Sequence, residues 1–295
     1  MPTAPRTIVF CGTSAFALPT LSALALAPDF RIALVITQPD KPVGRKGDMT
    51  PPPVKILAQE CSLPIAQPTN FNKEFEAVTD GIAQPDFLVV VSYGQILSTK
   101  VLAFPRIAPL NVHASLLPRW RGASPIHHAV LAGDKVSGVT VQRMVRELDA
   151  GPILTQRGVT LSDRETTATL SLRLADAGAQ LLLETLRHLP EEERAQDANR
   201  VTLCKKFKRE DGKIDPATMS AVEIDRHVRA LVPWPGVTVT IDGHELKILE
   251  TALAETENAL AVPCAEDSTI YLVSVQPPGK KPMSGMSWRR GTRGE

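Results

Sequence analysis

Apolar positions in the first two thirds of the chain fall into two alternating rhythms. Thr7 to Cys11 is a β-branched run ending in Gly12, and Arg31 to Thr37 is a second strand. Phe87 to Val91 is continuously apolar, as in strands buried on both sheet faces. Pro109 to Val112 is a further short run of the same kind. Between the strands lie helical patterns. Ala15 to Ala27 closes near Pro28, and a second helix opens at Pro52-Pro53 and runs through Val54, Ile56, Leu57 and Ala58. Ser124-Pro125 reads as an N-cap with proline at the first helical position, opening a helix to about Leu131. Gly138 to Met144 and Ile153 to Leu161 read as strands, and leucines at helical spacing make Thr166 to Leu189 a long amphipathic helix. This order predicts an α/β fold with a Rossmann-like, doubly wound, mainly parallel sheet. Ligands then sit beyond the strands' carboxyl ends.

The rhythm changes after Leu189. Pro190 to Arg200 is charged and weakly hydrophobic, and beyond it come short strands separated by turns. They are Val237 to Ile241, Leu246 to Leu249, Ala259 to Pro263 and Ile270 to Gln276, with Asp242-Gly243 as a hairpin turn. One helix, about Ser220 to Leu231, precedes them. The division expected is a catalytic domain over 1–189, a linker over 190–204 and a small OB-like β-barrel over 205–295.

Composition narrows the classes of function. Of 295 residues, 33 are basic and 32 acidic, so a net charge of +1 gives no global field for a polyanion. Contacts to nucleic acid must come from local patches. Hydrophobic content of 43% and charged content of 22% are ordinary for a globular protein. Cys11, Cys61, Cys204 and Cys264 are scattered without a C-x-x-C pair, which fits a reducing compartment and argues against zinc. Met1 to Pro5 carries no secretory pattern, and Ala15 to Ala27 is too short to span a bilayer. A cytoplasmic protein without membrane or metal partners is expected.

The densest chemistry lies in Asn111 to Gly122, reading N-V-H-A-S-L-L-P-R-W-R-G. In an extended segment Asn111 and His113 share a face, here at a strand's end. A carboxamide can hold a developing oxyanion, and an imidazole beside it can handle a proton. The plain alternative is a polar strand end satisfied by its neighbours. Asp149, in Leu148-Asp149-Ala150-Gly151-Pro152, is read either as a turn residue or as the carboxylate that orients the imidazole.

These segments closely resemble the methionyl-tRNA formyltransferase family. So do Cys11-Gly12-Thr13-Ser14-Ala15-Phe16-Ala17, Thr37-Gln38-Pro39-Asp40-Lys41-Pro42 with Gly44-Arg45, Val91-Ser92-Tyr93-Gly94-Gln95-Ile96-Leu97, Pro233-Trp234-Pro235-Gly236 and Gln276-Pro277-x-Gly279-Lys280. The resemblance implies transfer of formyl from 10-formyltetrahydrofolate to the amine of methionyl initiator tRNA, with no metal. Asn111 would stabilise the oxyanion, His113 would support it or move protons, and Asp149 would hold His113. Ser115, Leu116, Leu117 and Pro118 would shape the folate pocket, with backbone around Val90, Tyr93 and Gly94 reaching the pterin. Lys41, Arg45, Lys46, Lys206 and Lys208 would meet the tRNA acceptor stem, and a monomer is the expected state.

Two departures from the family pattern stand out. Gly47-Asp48-Met49 follow Lys46 where further lysines are usual, so this loop is less basic, and Pro216 stands where tryptophan is usual. Arg119, Trp120 and Arg121 are read either as a solvated rim or as contacts to the folate tail or a phosphate. His127 and His128 are read as packing or surface residues. The competing functions are formylation of a small amine, such as glycinamide ribonucleotide or an aminosugar nucleotide, and nucleic-acid binding without catalysis. The first turn lacks the glycine spacing of a dinucleotide dehydrogenase.

Overall fold

Phe87–Val91 is buried along its whole length, which places it inside a sheet covered on both faces. The computed structural model describes residues 4–44, 47–189 and 192–293. Its first sheet comprises β1 (Arg6–Gly12), β2 (Phe30–Ile36), β5 (Ile65–Ala66), β6 (Phe87–Val91), β7 (Ala108–His113), β8 (Val136–Arg143) and β9 (Ile153–Thr160). A separate hairpin is formed by β3 (Lys41–Val43) and β4 (Asp48–Thr50). Strand order is β9-β8-β7-β6-β1-β2-β5. Every pair from β5 to β7 is parallel. The β7–β8 and β8–β9 pairs are antiparallel. The expected mainly parallel sheet is therefore present, with a reversed edge. The cause of the last reversal is local: no crossover helix joins β8 to β9, and parallel neighbours need such a connection.

The helices are α1 (Leu18–Leu26), α2 (Pro53–Glu60), α3 (Phe71–Thr79), the one-turn α4 (Thr99–Leu102), α5 (Pro125–Ala132) and α6 (Thr167–Arg187). The sequence pattern did not predict α3. Its start is set by Asn70, whose side chain accepts from the Lys73 N–H at 3.1 Å. It presents Phe71 and Phe75 to a buried cluster that includes Val9, Leu34, Leu88, Tyr93 and Val101. α5 starts at Pro125 as expected, but the Ser124 hydroxyl makes no capping bond.

By contact, the described residues form two units. The first draws on Met1–Gly122, Val136–Thr160 and Ser171–Leu203; the second on Ala123–Lys135, Leu161–Leu170 and Cys204–Glu295. In the second, α7 (Ala221–Leu231) begins with a reciprocal Ser220–Glu223 capping box. It packs on an antiparallel sheet. The strands are β10 (Val237–Ile241), β11 (His244–Ala252), β12 (Leu260–Cys264), β13 (Ser268–Gln276) and β14 (Met283–Ser284), in the order β10-β11-β13-β12 with β14 beside β13. Asp242 and Gly243 both take positive φ, as their hairpin turn requires. α8 (Gly285–Arg293), not predicted, follows β14. Among the described residues, no pairing closes this sheet into a barrel.

Candidate active site

Asn111 and His113 sit at the carboxyl end of β7, where their period-two spacing puts both side chains on one face. Antiparallel pairing sets Gln142 of β8 directly beside Asn111. The loop that leaves β8 brings Asp149 back to this point. Its return depends on Gly151, where a Cβ would lie 1.8 Å from the carbonyl oxygen of Arg143. Asp149 itself adopts φ 52°, a left-handed conformation that costs a side-chain-bearing residue free energy.

The Asp149 carboxylate is the hub. Its Oδ2 accepts from the Gly122 N–H at 2.9 Å, and its Oδ1 accepts from Gln142 Nε2 at 3.2 Å. Asn111 Nδ2 stands 3.5 Å from the same Oδ1, and His113 Nδ1 stands 3.6 Å away. Two firm bonds thus orient the acid, while Asn111 and His113 are engaged loosely enough to serve another group. The other ring nitrogen of His113, Nε2, lies 2.9 Å from the Trp120 carbonyl oxygen. A carbonyl only accepts, so Nε2 carries a proton, and Nδ1 is the position that can gain one opposite Asp149. His113 is 6% exposed, so its ring is largely shielded from water.

Beside this hub opens a small cleft of about 50 Å³, lined by Gln95 to Leu97, Gln142, Met144 to Asp149 and Gly151. Ile96, Val145 and Leu148 are exposed by 70%, 40% and 60%. Exposed apolar side chains around a polar centre are what a flat heteroaromatic ligand requires.

A family model described as formyl transferase matches residues 6–186, and one described as formyl transferase, C-terminal domain, matches residues 206–293. The chain belongs to the formyltransferase family. It is 43% identical over 293 residues to a methionyl-tRNA formyltransferase of Methylococcus capsulatus, covering 94% of each chain. Against a methionyl-tRNA formyltransferase of Bacillus cereus identity is 37% over 304 residues, covering 98% of this chain and 96% of that one. The fold matches the Helicobacter canadensis N-formyltransferase solved with folinic acid and dTDP-3-aminofucose. That match has a TM-score of 0.66 at 16% identity, over 91% of this chain and 98% of that one. HypX from Aquifex aeolicus with tetrahydrofolic acid gives 0.65 at 13%, over 97% of this chain but 47% of that longer one.

In this formyltransferase the other residues singled out from the sequence are placed unevenly. None of Val90, Tyr93, Gly94 or Ser115 to Pro118 is among the residues lining the cleft. Tyr93 is 2% exposed, and its ring meets Phe71 edge-on in the core. Burial pushes its phenol pKa upward. Gly94 is exposed and takes φ 91°, turning the chain into Gln95, where the cleft wall begins. Ser115 is buried, its carbonyl accepting from the Thr140 hydroxyl at 2.6 Å. The Leu117 N–H donates to the same Thr140 oxygen at 3.1 Å. These bonds fix the loop that carries Trp120. Leu116 packs close to Gly138, whose added Cβ would lie 2.6 Å from it.

Lys41 is exposed at the base of the β3–β4 hairpin, whereas Arg45 and Lys46 lie outside the described residues. Lys206 and Lys208 are exposed in the second unit. There the His128 ring stacks 4.6 Å from Phe207, a packing role as expected. The sequence reading missed Gln142, the Gly122 N–H, and the cleft walls at Gln95 to Leu97 and Met144 to Leu148. Ile96 and Leu148, apolar residues within two recognised motifs, were the available signal for the walls. Among the described residues, no group of three or more His, Cys, Asp or Glu could hold a metal ion. No described helix is long and apolar enough to cross a membrane.

Proposed function

We propose that this formyltransferase transfers the formyl group of 10-formyltetrahydrofolate to the α-amine of methionyl initiator tRNA. The observation that carries the reading is the convergence of Asn111, His113 and Gln142 on Asp149 beside an apolar-rimmed cleft. Relatives named for this reaction share both sequence domains of the chain. Ile96, Val145, Leu148 and Met144 would give a pteridine ring apolar contacts at the mouth of the cleft. The donor supplies a formyl group on a nitrogen that departs as an amine.

The chain's own groups manage charge and protons. Asn111 Nδ2, only weakly held by Asp149, is available to donate to oxygen that gains negative charge as the amine attacks. His113 accepts the amine's proton at Nδ1, since Nε2 is already protonated toward Trp120. Asp149 stabilises the imidazolium so formed, which returns the proton to the folate nitrogen as the tetrahedral intermediate collapses and that nitrogen leaves. On the tRNA side, Lys41, Arg45 and Lys46 on the β3–β4 hairpin would grip the acceptor stem. Lys206 and Lys208, on an OB-like second domain, would support the backbone. The enzyme is read as a cytoplasmic monomer.

The deciding experiment measures transfer of labelled formyl from the folate to charged initiator tRNA, with uncharged tRNA and small amines as controls. Formylation of glycinamide ribonucleotide or an aminosugar nucleotide in preference to charged tRNA would defeat the proposal.

A further inference from the structure

The segment between the two sequence domains has the composition of a linker but is hydrogen-bonded into the site. Arg194 forms a backbone bridge with Ile153, with N–O distances of 2.8 and 3.0 Å in the two directions. This extends the edge of β9 by one short stretch. Two residues later, Gln196 directs its amide nitrogen at the Asp149 turn. Nε2 donates to the Asp149 carbonyl at 2.8 Å and to the Gly151 carbonyl at 2.7 Å. Its Oε1 accepts from Arg121 Nε at 2.9 Å. Farther along, the Thr202 hydroxyl accepts from the Trp120 N–H at 2.8 Å, and its carbonyl accepts from the Arg121 N–H at 2.9 Å.

One segment therefore holds both loops of the candidate site. Through Gln196 it closes the turn that presents Asp149. Through Thr202 it fixes Trp120, whose carbonyl sets the proton position on His113. Both loops need outside support, because Asp149 and Trp120 each stand at positive φ, at 52° and 62°. Among the described residues no other group donates to the Asp149 backbone carbonyl, and the Gln196 amide meets that carbonyl and the Gly151 carbonyl together.

We propose that Gln196 is a positioning residue for the transfer reaction, holding Asp149 at its working distance from His113. The proposal rests on the reading of Asp149 and His113 as the reacting pair. A misplacement on the order of 1 Å in such a pair costs about a hundredfold in rate. Releasing one of several supports should cost about tenfold or more in kcat.

Steady-state kinetics of the full-length protein test this with Gln196→Ala and the isosteric Gln196→Glu. The glutamate keeps the acceptor for Arg121 but replaces the donor with an anion facing two carbonyls. Both variants should lose kcat with KM for folate and tRNA unchanged, and the pH profile of kcat should shift with the altered Asp149–His113 contact. Asn199→Ala, exposed in the same segment, should behave as wild type. Assays are run at a temperature where circular dichroism shows each variant fully folded. The proposal falls if kcat stays within twofold of wild type in the folded glutamate variant. It also falls if only KM changes, or if the pH profile is unmoved while kcat drops, which would mark a merely structural bond. Asp149→Asn is measured alongside. If that variant turns over normally, the reading of the reacting pair has failed; if it is inactive while the Gln196 variants are normal, only the present inference has.

Discussion

The Asp149 corner follows the antiparallel strand β8 and the β3–β4 hairpin follows the parallel strand β2, and they are built on opposite terms. At the corner, Asp149 is fastened through both carboxylate oxygens, and its 9% exposed side chain faces a 7% exposed imidazole. Every residue of β3 and β4 is exposed, and the ladder contains only three residue pairs. Reaction chemistry needs groups held before the substrate arrives, because reorganisation at the moment of reaction is costly. A surface that follows a nucleic-acid backbone can stay solvated, since its contribution is mostly charge. The contrast predicts different kinetic signatures for damage at the two places.

The largest effect is expected at the corner. His113→Ala and Asp149→Asn should each lower kcat by about 10²- to 10⁴-fold, the range for a general acid–base group. Folate binding, measured by fluorescence titration, should persist, since neither change removes an apolar cleft wall. Equal loss of binding and turnover would mean that these groups hold the ligand rather than act on it.

Next comes Gly151→Ala. The methyl group would lie 1.8 Å from the Arg143 carbonyl oxygen, a backbone atom that cannot swing aside. The loop must shift, at about 1–3 kcal/mol of stability by the usual overpacking penalty. Asp149, two residues away, should move with it. The checks are a denaturant midpoint and kcat, and both should fall together, unlike the result at His113.

These two sites also show what the sequence could disclose. The Asn111–His113 pair was legible because strand periodicity fixes which residues share a face. Sheet class was legible for the same reason, from Phe87–Val91 and its neighbours. The role of Gly151 was hidden, because its need arises from a backbone approach across a β8 register that no local pattern sets. Gln142 was hidden likewise: it neighbours Asn111 only because β8 runs antiparallel to β7. Tyr93 shows a further limit: the motif was legible, but that its side chain fills the core against α3 was not. Gln196 lies 47 residues from Asp149 in a charged stretch, and composition there suggested only a spacer.

At the hairpin the expected effects are smaller and fall on KM. Arg45→Ala should raise KM for tRNA about threefold to tenfold and leave folate binding intact. Loss of one phosphate contact should also reduce the log–log salt slope by about one unit. A parallel loss of folate affinity would remove Arg45 from the tRNA side.

The smallest effect is expected at the hairpin's base. Asp40, immediately before β3, accepts from Lys55 Nζ at 2.8 Å through both oxygens and from Gln67 Nε2 at 2.7 Å. Gln67 also donates to the Gln38 carbonyl, so the chain is pinned just before it leaves the body. The pair is partly solvated, with side chains 30% and 21% exposed, and pairs of that kind contribute little. Asp40→Asn should therefore raise KM for tRNA only about twofold, with kcat unchanged. The hydrogen bonds from Gln67 and then Lys55 hold the Asp40 carboxyl below its ordinary value. A group depressed in this way contributes fully above its unfolded value and loses the contribution as pH falls through the depressed one. Amide hydrogen-exchange protection in the hairpin, followed against pH, should show wild type better protected than Asp40→Asn at neutral pH. The difference should close only in strong acid. Equal protection at neutral pH would show that the hairpin's base is held without Asp40.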